Sequence, residues 1–166
     1  MFNPNNNQQN HMNTSINASV SSPVVPSGVV AFEYDSSISN LPQCPPACAQ
    51  PLNKDCWRFT LNPHTPNCFW PPARRSPMRV AKNDYEACAM WALSMYESEP
   101  EATEAYSKLK KSIKNIEKAI GDHLSHGFVT TNDGECTPPN HAGHFDFHPY
   151  VSSAFPNNFN ITSKLP

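Results

Sequence analysis

Gly143-His144-Phe145-Asp146-Phe147-His148-Pro149-Tyr150 alternates polar and aromatic residues with a period of two. That is the period of a β-strand, in which successive side chains point to opposite faces. Phe145 and Phe147 then share one face, and His144, Asp146 and His148 share the other. An apolar pair of this kind needs a covering layer. The segment immediately upstream that offers one is helical.

Ser98 stands three residues before Glu101, a capping-box spacing, with Pro100 in the first turn. Apolar residues recur at Ala102, Ala105, Tyr106, Leu109, Ile113, Ile116 and Ile120, in steps of three and four. Acidic residues open the segment, lysines crowd its end, and Gly121 supplies a stop. The spacing predicts one helix over 99–120, about 33 Å long at 1.5 Å per residue. A second helix is expected over 84–97, capped by Asn83 or Asp84. Trp91 and Leu93 lie off its apolar stripe. Strands are expected at 56–61, where Trp57, Phe59 and Leu61 alternate with Arg58 and Thr60, and at 123–130, followed by an Asn132-Asp133-Gly134 turn.

The fold expected is therefore α+β: a small antiparallel sheet (56–61, 123–130, 143–150) covered by two helices. The core expected is Trp57, Phe59, Leu61, Met95, Tyr106, Leu109, Ile113, Ile116, Phe145 and Phe147. This domain occupies 53–151, between an arm (1–52) and a tail (152–166). The arm is Asn- and Gln-rich at first and Pro-rich later, a composition that favours disorder. Its removal should then leave melting unchanged. Pro42-Gln43-Cys44-Pro45 has PxxP spacing, which linker composition also explains.

Charge sets further bounds. Residues 1–52 hold no Lys or Arg, and all twelve fall in 54–164 with twelve of the fourteen acidic residues. At a formal net charge of −2 and a pI near 6.4, bulk charge recruits neither nucleic acid nor an anionic membrane. No apolar run reaches the length of a membrane span, and the opening residues lack the pattern of a secretory signal. A cytoplasmic location is expected, and with it six reduced thiols at Cys44, Cys48, Cys56, Cys68, Cys88 and Cys136.

Five of the seven histidines fall within 123–148. His144, Asp146 and His148 on one strand face form a candidate metal set, with alternate residues about 6.8 Å apart and a further ligand needed from His64, His123 or His126. His144 and Asp146 match half of a two-His-one-carboxylate triad. Cys88, near a helix start and within conceivable reach of His144, is a candidate thiol nucleophile, although it falls on the apolar stripe. The Arg74–Lys82 cluster and the Lys110, Lys114, Lys118 row are candidate polyanion contacts, and they also read as solvated faces.

Arg58 on an early strand, the Ala92–Tyr96 segment and a polar residue on a late strand follow one another in order. Over residues 58–148 that order resembles the ADP-ribosyltransferase-like toxins. The resemblance implies a phosphate-binding Arg58, a site-ordering Ser94 with Tyr96 beside it, and His144 or Asp146 working at the glycosidic bond of NAD. The chain has no Gly-rich segment after Arg58, and Glu135 falls in an expected turn. Two function classes stand. One is a small soluble intracellular binding or accessory protein with a protein partner, presenting an aromatic patch at Phe69 and Trp70. The other is a small enzyme whose Arg58, Ser94, Tyr96, His144 and Asp146 meet in one cleft, with NAD or a divalent metal as cofactor. The residues themselves do not name a specific activity.

Overall fold

The computed structural model describes residues 30–166. The Asn-rich stretch, Pro23 and Pro26 lie outside the described residues. Within them, six strands form one antiparallel sheet: β1 (Lys54–Thr60), β2 (Leu93–Tyr96), β3 (His123–Val129), β4 (Gly134–Cys136), β5 (His144–Pro149) and β6 (Asn160–Lys164), in the order β4-β5-β2-β1-β3-β6. Five helices accompany it: α1 (Asp35–Ile38), α2 (Pro72–Arg75), α3 (Asp84–Met90), α4 (Glu99–Ser112) and α5 (Ile116–Ile120). The mixed α and β class is as expected, but the sheet is twice the size expected.

The expected 84–97 helix stops at Met90, and Leu93–Tyr96 is a strand pairing with β1 and β5. Leu93 and Met95 alternate with Ser94, β5 pairs with all four residues, and β1 joins at Tyr96. That pairing overrides the local helical pattern. The single helix expected at 99–120 is two. Asn115 takes a left-handed conformation (φ 58°), which Asn tolerates, and starts α5 in a new direction. The break buries Ile116 and leaves Ile113 38% exposed. The caps of the first part are as read, with Ser98 Oγ accepting from the Glu101 amide at 3.4 Å and donating to its carboxylate at 2.7 Å.

Each sheet face has its own core. On one, Cys56, Leu93, Met95, Val129, Cys136, Phe145, Phe147, Phe155 and Phe159 pack together, with Phe69 against them. On the other, Phe59, Tyr96, Leu124 and Leu165 meet Ala102, Tyr106 and Ile116 from α4 and α5. Phe145 and Phe147 thus pack away from α4, against the 155–159 turn. That turn and β6 belong to the segment expected as a tail. Gly127 makes room for it: a Cβ there would lie 2.5 Å from the Phe159 ring.

Residues 30–52, read above as part of the arm, lie along the sheet. Phe32 pairs with Tyr150 and Gln50 with Cys136 as isolated bridges, Ile38 is buried, and Cys44 is disulfide-bonded to Cys88. The expectation of six free thiols therefore holds for Cys48, Cys56, Cys68 and Cys136. No helix among the described residues is long and apolar enough to cross a membrane.

Candidate functional site

Arg58 organises the site. Its alternation with Trp57 and Phe59 puts it on the Cys56 side of β1, whereas Ser94, Tyr96, His144 and Asp146 register across β2 and β5 on the α4 side. β1 and β2 pair only at Trp57↔Tyr96. Beyond that point the Arg58 guanidinium, and not β1 backbone, donates to the Ser94 carbonyl at 2.6 Å. It also donates to the carbonyls of Cys68 at 2.8 Å and Trp70 at 3.2 Å. The cation is buried, and no carboxylate of the described residues pairs with it. Burial, reinforced by the neighbouring Arg75 guanidinium, lowers its pKa to about 10, so it stays charged at neutral pH.

Arg58 lines a cleft of about 360 Å³ with Phe59, Trp70, Arg75, Arg79, Ser94 and Tyr96, and Leu109, Ile113 and Ile120 form its apolar wall. No Asp or Glu lines it. Arg75 is anchored by donation to the Ala119 carbonyl, and Arg79 by an ion pair with Glu86 at 3.0 Å. Arg74 stacks on Trp70 at 4.0 Å. A second cavity of about 250 Å³ shares Pro72, Arg79 and Ser94 with the first and adds His144, Asp146, Glu86 and the exposed Tyr85. The first volume lies at the lower end of the range of small-ligand sites, and the second falls just below it.

At the junction, Ser94 Oγ and His144 Nε2 are 2.5 Å apart, and the Tyr96 ring meets the His144 ring edge-on. Burial, helped by Arg58, depresses the His144 pKa, so its imidazole is neutral and can exchange a proton with Ser94. Asp146 Oδ1 lies 3.9 Å from the same nitrogen. The carboxylate therefore approaches the face of the imidazole already used by Ser94, and the three do not form a relay in which the carboxylate orients the far nitrogen. Burial pushes the Asp146 pKa up to about 6.

No family model, no curated protein and no solved structure matches this chain.

Of the residues singled out in the sequence, Arg58 stands on the opposite sheet face from Ser94, Tyr96, His144 and Asp146, an arrangement that argues against one composite active site; Arg58, Ser94 and Tyr96 line the first cavity, and Ser94, His144 and Asp146 the second. The His144, Asp146, His148 set does not gather its ligand atoms, since His148 runs beneath the arm and packs edge-on against Phe32. The upstream histidines are engaged elsewhere: His64 with Ser125, His123 with Asp122, His126 with Asp55 and Trp57. Cys88 is half of a disulfide and no nucleophile. Phe69 packs on Phe155 and Phe159, so with Trp70 under Arg74 the two rings form no common exposed patch. Arg75 and Arg79 were visible only as part of a basic cluster. Their signal was the Pro-punctuated loop that holds them against the domain.

Asp146 gives a test of the electrostatics. Its folded pKa lies above its ordinary value of 3.8, so the native state holds the proton more tightly. That contribution is complete below pH 4 and is lost as pH rises through 6. Asp146→Asn is therefore expected to stabilise the protein at pH 7, by up to about 3 kcal/mol for a two-unit shift. The gain should shrink toward zero at pH 4. Urea unfolding of both proteins across this range checks it, and a gain independent of pH would refute it.

Proposed function

We propose that the cleft binds a phosphate-bearing nucleotide, with NAD or an ADP-ribose derivative as the occupant and chemistry at the Ser94–His144 junction. The observation that carries this reading is the buried Arg58 in the wall of the first cavity, whose lining holds Arg75 and Arg79 and no Asp or Glu. Three carbonyls already meet three of the five Arg58 N–H groups, so the pull on an anion comes from its uncompensated positive charge together with the planar Arg75 and Arg79 guanidinium groups, which match phosphate oxygens. The wall of Leu109, Ile113 and Ile120 offers apolar surface to a base. The second cavity then receives the far end of a dinucleotide beside Ser94, His144 and Asp146. There the neutral imidazole can take a proton from an attacking hydroxyl. The order of these residues is the one that resembles the ADP-ribosyltransferase-like toxins, and it supports NAD over other phosphate esters.

Thermal denaturation with NAD, ADP-ribose, AMP and inorganic phosphate tests the reading. At a hundredfold excess over Kd, binding stabilises by about 2.7 kcal/mol, or roughly 5–10 °C for a chain of this size. ADP-ribose and NAD should reach that shift at millimolar concentration, and Arg79→Gln should reduce it. No shift with any of the four would overturn the reading. A shift with phosphate alone would reduce it to an anion site.

A further inference from the structure

Away from the cleft, three side chains from distant parts of the chain converge. Cys44 comes from the loop after α1, Cys88 from α3 and His148 from β5, and one ligand atom of each lies within 4.8 Å of the others. In the structure the two sulfurs are joined. His148 is 2% exposed, and its Nε2 has no hydrogen-bond partner. Leaving a buried imidazole nitrogen unpaired costs about 1–3 kcal/mol, an expense that a disulfide does nothing to relieve. A neutral imidazole beside two sulfurs is instead a metal-ligand set. Burial does hold this imidazole neutral, with a pKa pushed down to about 4.

We propose that, when the Cys44–Cys88 disulfide is reduced, Cys44, Cys88 and His148 form a zinc(II) site, so that this corner of the fold exchanges a disulfide for a metal. A dithiol, which leaves as its own disulfide, or a phosphine, which takes the oxygen of a water molecule and leaves as the phosphine oxide, supplies two electrons and two protons and breaks the S–S bond to give two thiols. Zinc then displaces both thiol protons to solvent and forms two Zn–S bonds, with a His148 ring nitrogen as third ligand and water in the fourth position. Two thiolates and an imidazole suit zinc better than magnesium or calcium, which take oxygen ligands. Zn–S bonds near 2.3 Å in a tetrahedral site need the sulfurs about 3.8 Å apart. Cys44 lies in an irregular loop between Ile38 and β1, outside any helix or strand, so the adjustment falls on that side. In either state the same three elements stay linked.

Full-length protein, reduced with a phosphine that is then removed without air, is titrated with cobalt(II) and competed with zinc(II). One equivalent is expected, with thiolate-to-cobalt charge-transfer absorption and tetrahedral d–d bands. The oxidised protein should bind none, and His148→Ala should weaken binding at least tenfold. His148 is a core residue, so the unsubstituted protein carries an independent readout. Zinc should protect Cys44 of the reduced protein from iodoacetamide, followed by peptide mass spectrometry, while exposed Cys48 stays reactive. Absence of cobalt uptake by the reduced protein overturns the proposal. So does zinc that protects Cys48 and leaves Cys44 reactive.

Discussion

Arg58→Met is expected to destabilise the protein by about 2–4 kcal/mol. The substitution keeps an unbranched apolar stem and removes every donor. The carbonyls of Cys68, Trp70 and Ser94 then lose their partner, the first in a buried contact and the other two half-buried beside the cleft. Each buried carbonyl left without a donor costs about 1–3 kcal/mol. Against this stands the relief of a buried charge, roughly 3 kcal/mol if burial lowers its pKa from 12.5 to about 10. The acceptors outweigh that relief because three of them fail together. Arg58→Lys keeps the charge but places it at one point, where it meets one or two of the three carbonyls. It should lose about 1–2 kcal/mol and remain folded, while weakening nucleotide-induced stabilisation at least tenfold in Kd. Urea unfolding of the three proteins, with and without ADP-ribose, reads both effects. A methionine variant within about 0.5 kcal/mol of the parent would show that Arg58 does not hold β1 to β2.

The features of this fold that could be read in the sequence are local ones. Phe145 and Phe147 alternate with polar neighbours, and Ser98 stands at the right distance from Glu101, so β5 and the start of α4 follow from periodicity and capping. Leu93–Tyr96 is four residues long and flanked by helix formers, and only its partners on both sides make it a strand. The end of α4 was hidden for a related reason. Apolar steps of three and four continue through Ile113 to Ile120, and a single left-handed Asn115 redirects them without breaking the pattern. Arg58, Ser94, Tyr96, His144 and Asp146 could each be named in advance as candidates, and they divide between two neighbouring cavities. Alternation alone, however, puts Arg58 on the wrong side of the sheet. Its access to Ser94 depends on β1 and β2 pairing at one position, a property of the assembled sheet. Cys44 and Cys88 are 44 residues apart, and nothing local announces their meeting or His148 beside them.

Removal of residues 30–52 is expected to lower the melting temperature by roughly 10–20 °C relative to a 30–166 chain. Composition alone argues for no effect, but the contacts argue otherwise. Closing the loop between Cys44 and Cys88 contributes about 4 kcal/mol through the unfolded chain. Ile38, 2% exposed, adds about 2 kcal/mol of apolar burial. Phe32 against Tyr150 and His148, and Tyr34 against Trp91, cover aromatic surface that would otherwise meet water. These terms oppose the entropy of ordering the segment, which is why the net is well below their sum. The two parts separate experimentally. In a thiol reductant without metal, the 30–166 chain loses the loop-closure part and keeps the packing part, so its advantage over 53–166 should fall to about half. A second consequence is independent of melting. Gln50 caps β4, exchanging both backbone hydrogen bonds with Cys136 at 2.8 and 3.0 Å. Without it the β4 edge presents unpaired amides and carbonyls beside buried Phe147, a template for strand addition. The 53–166 chain should therefore self-associate with rising concentration in sedimentation velocity, whereas 30–166 should not. Equal melting temperatures for the two chains, under oxidising and reducing conditions alike, would show the segment to be a bystander.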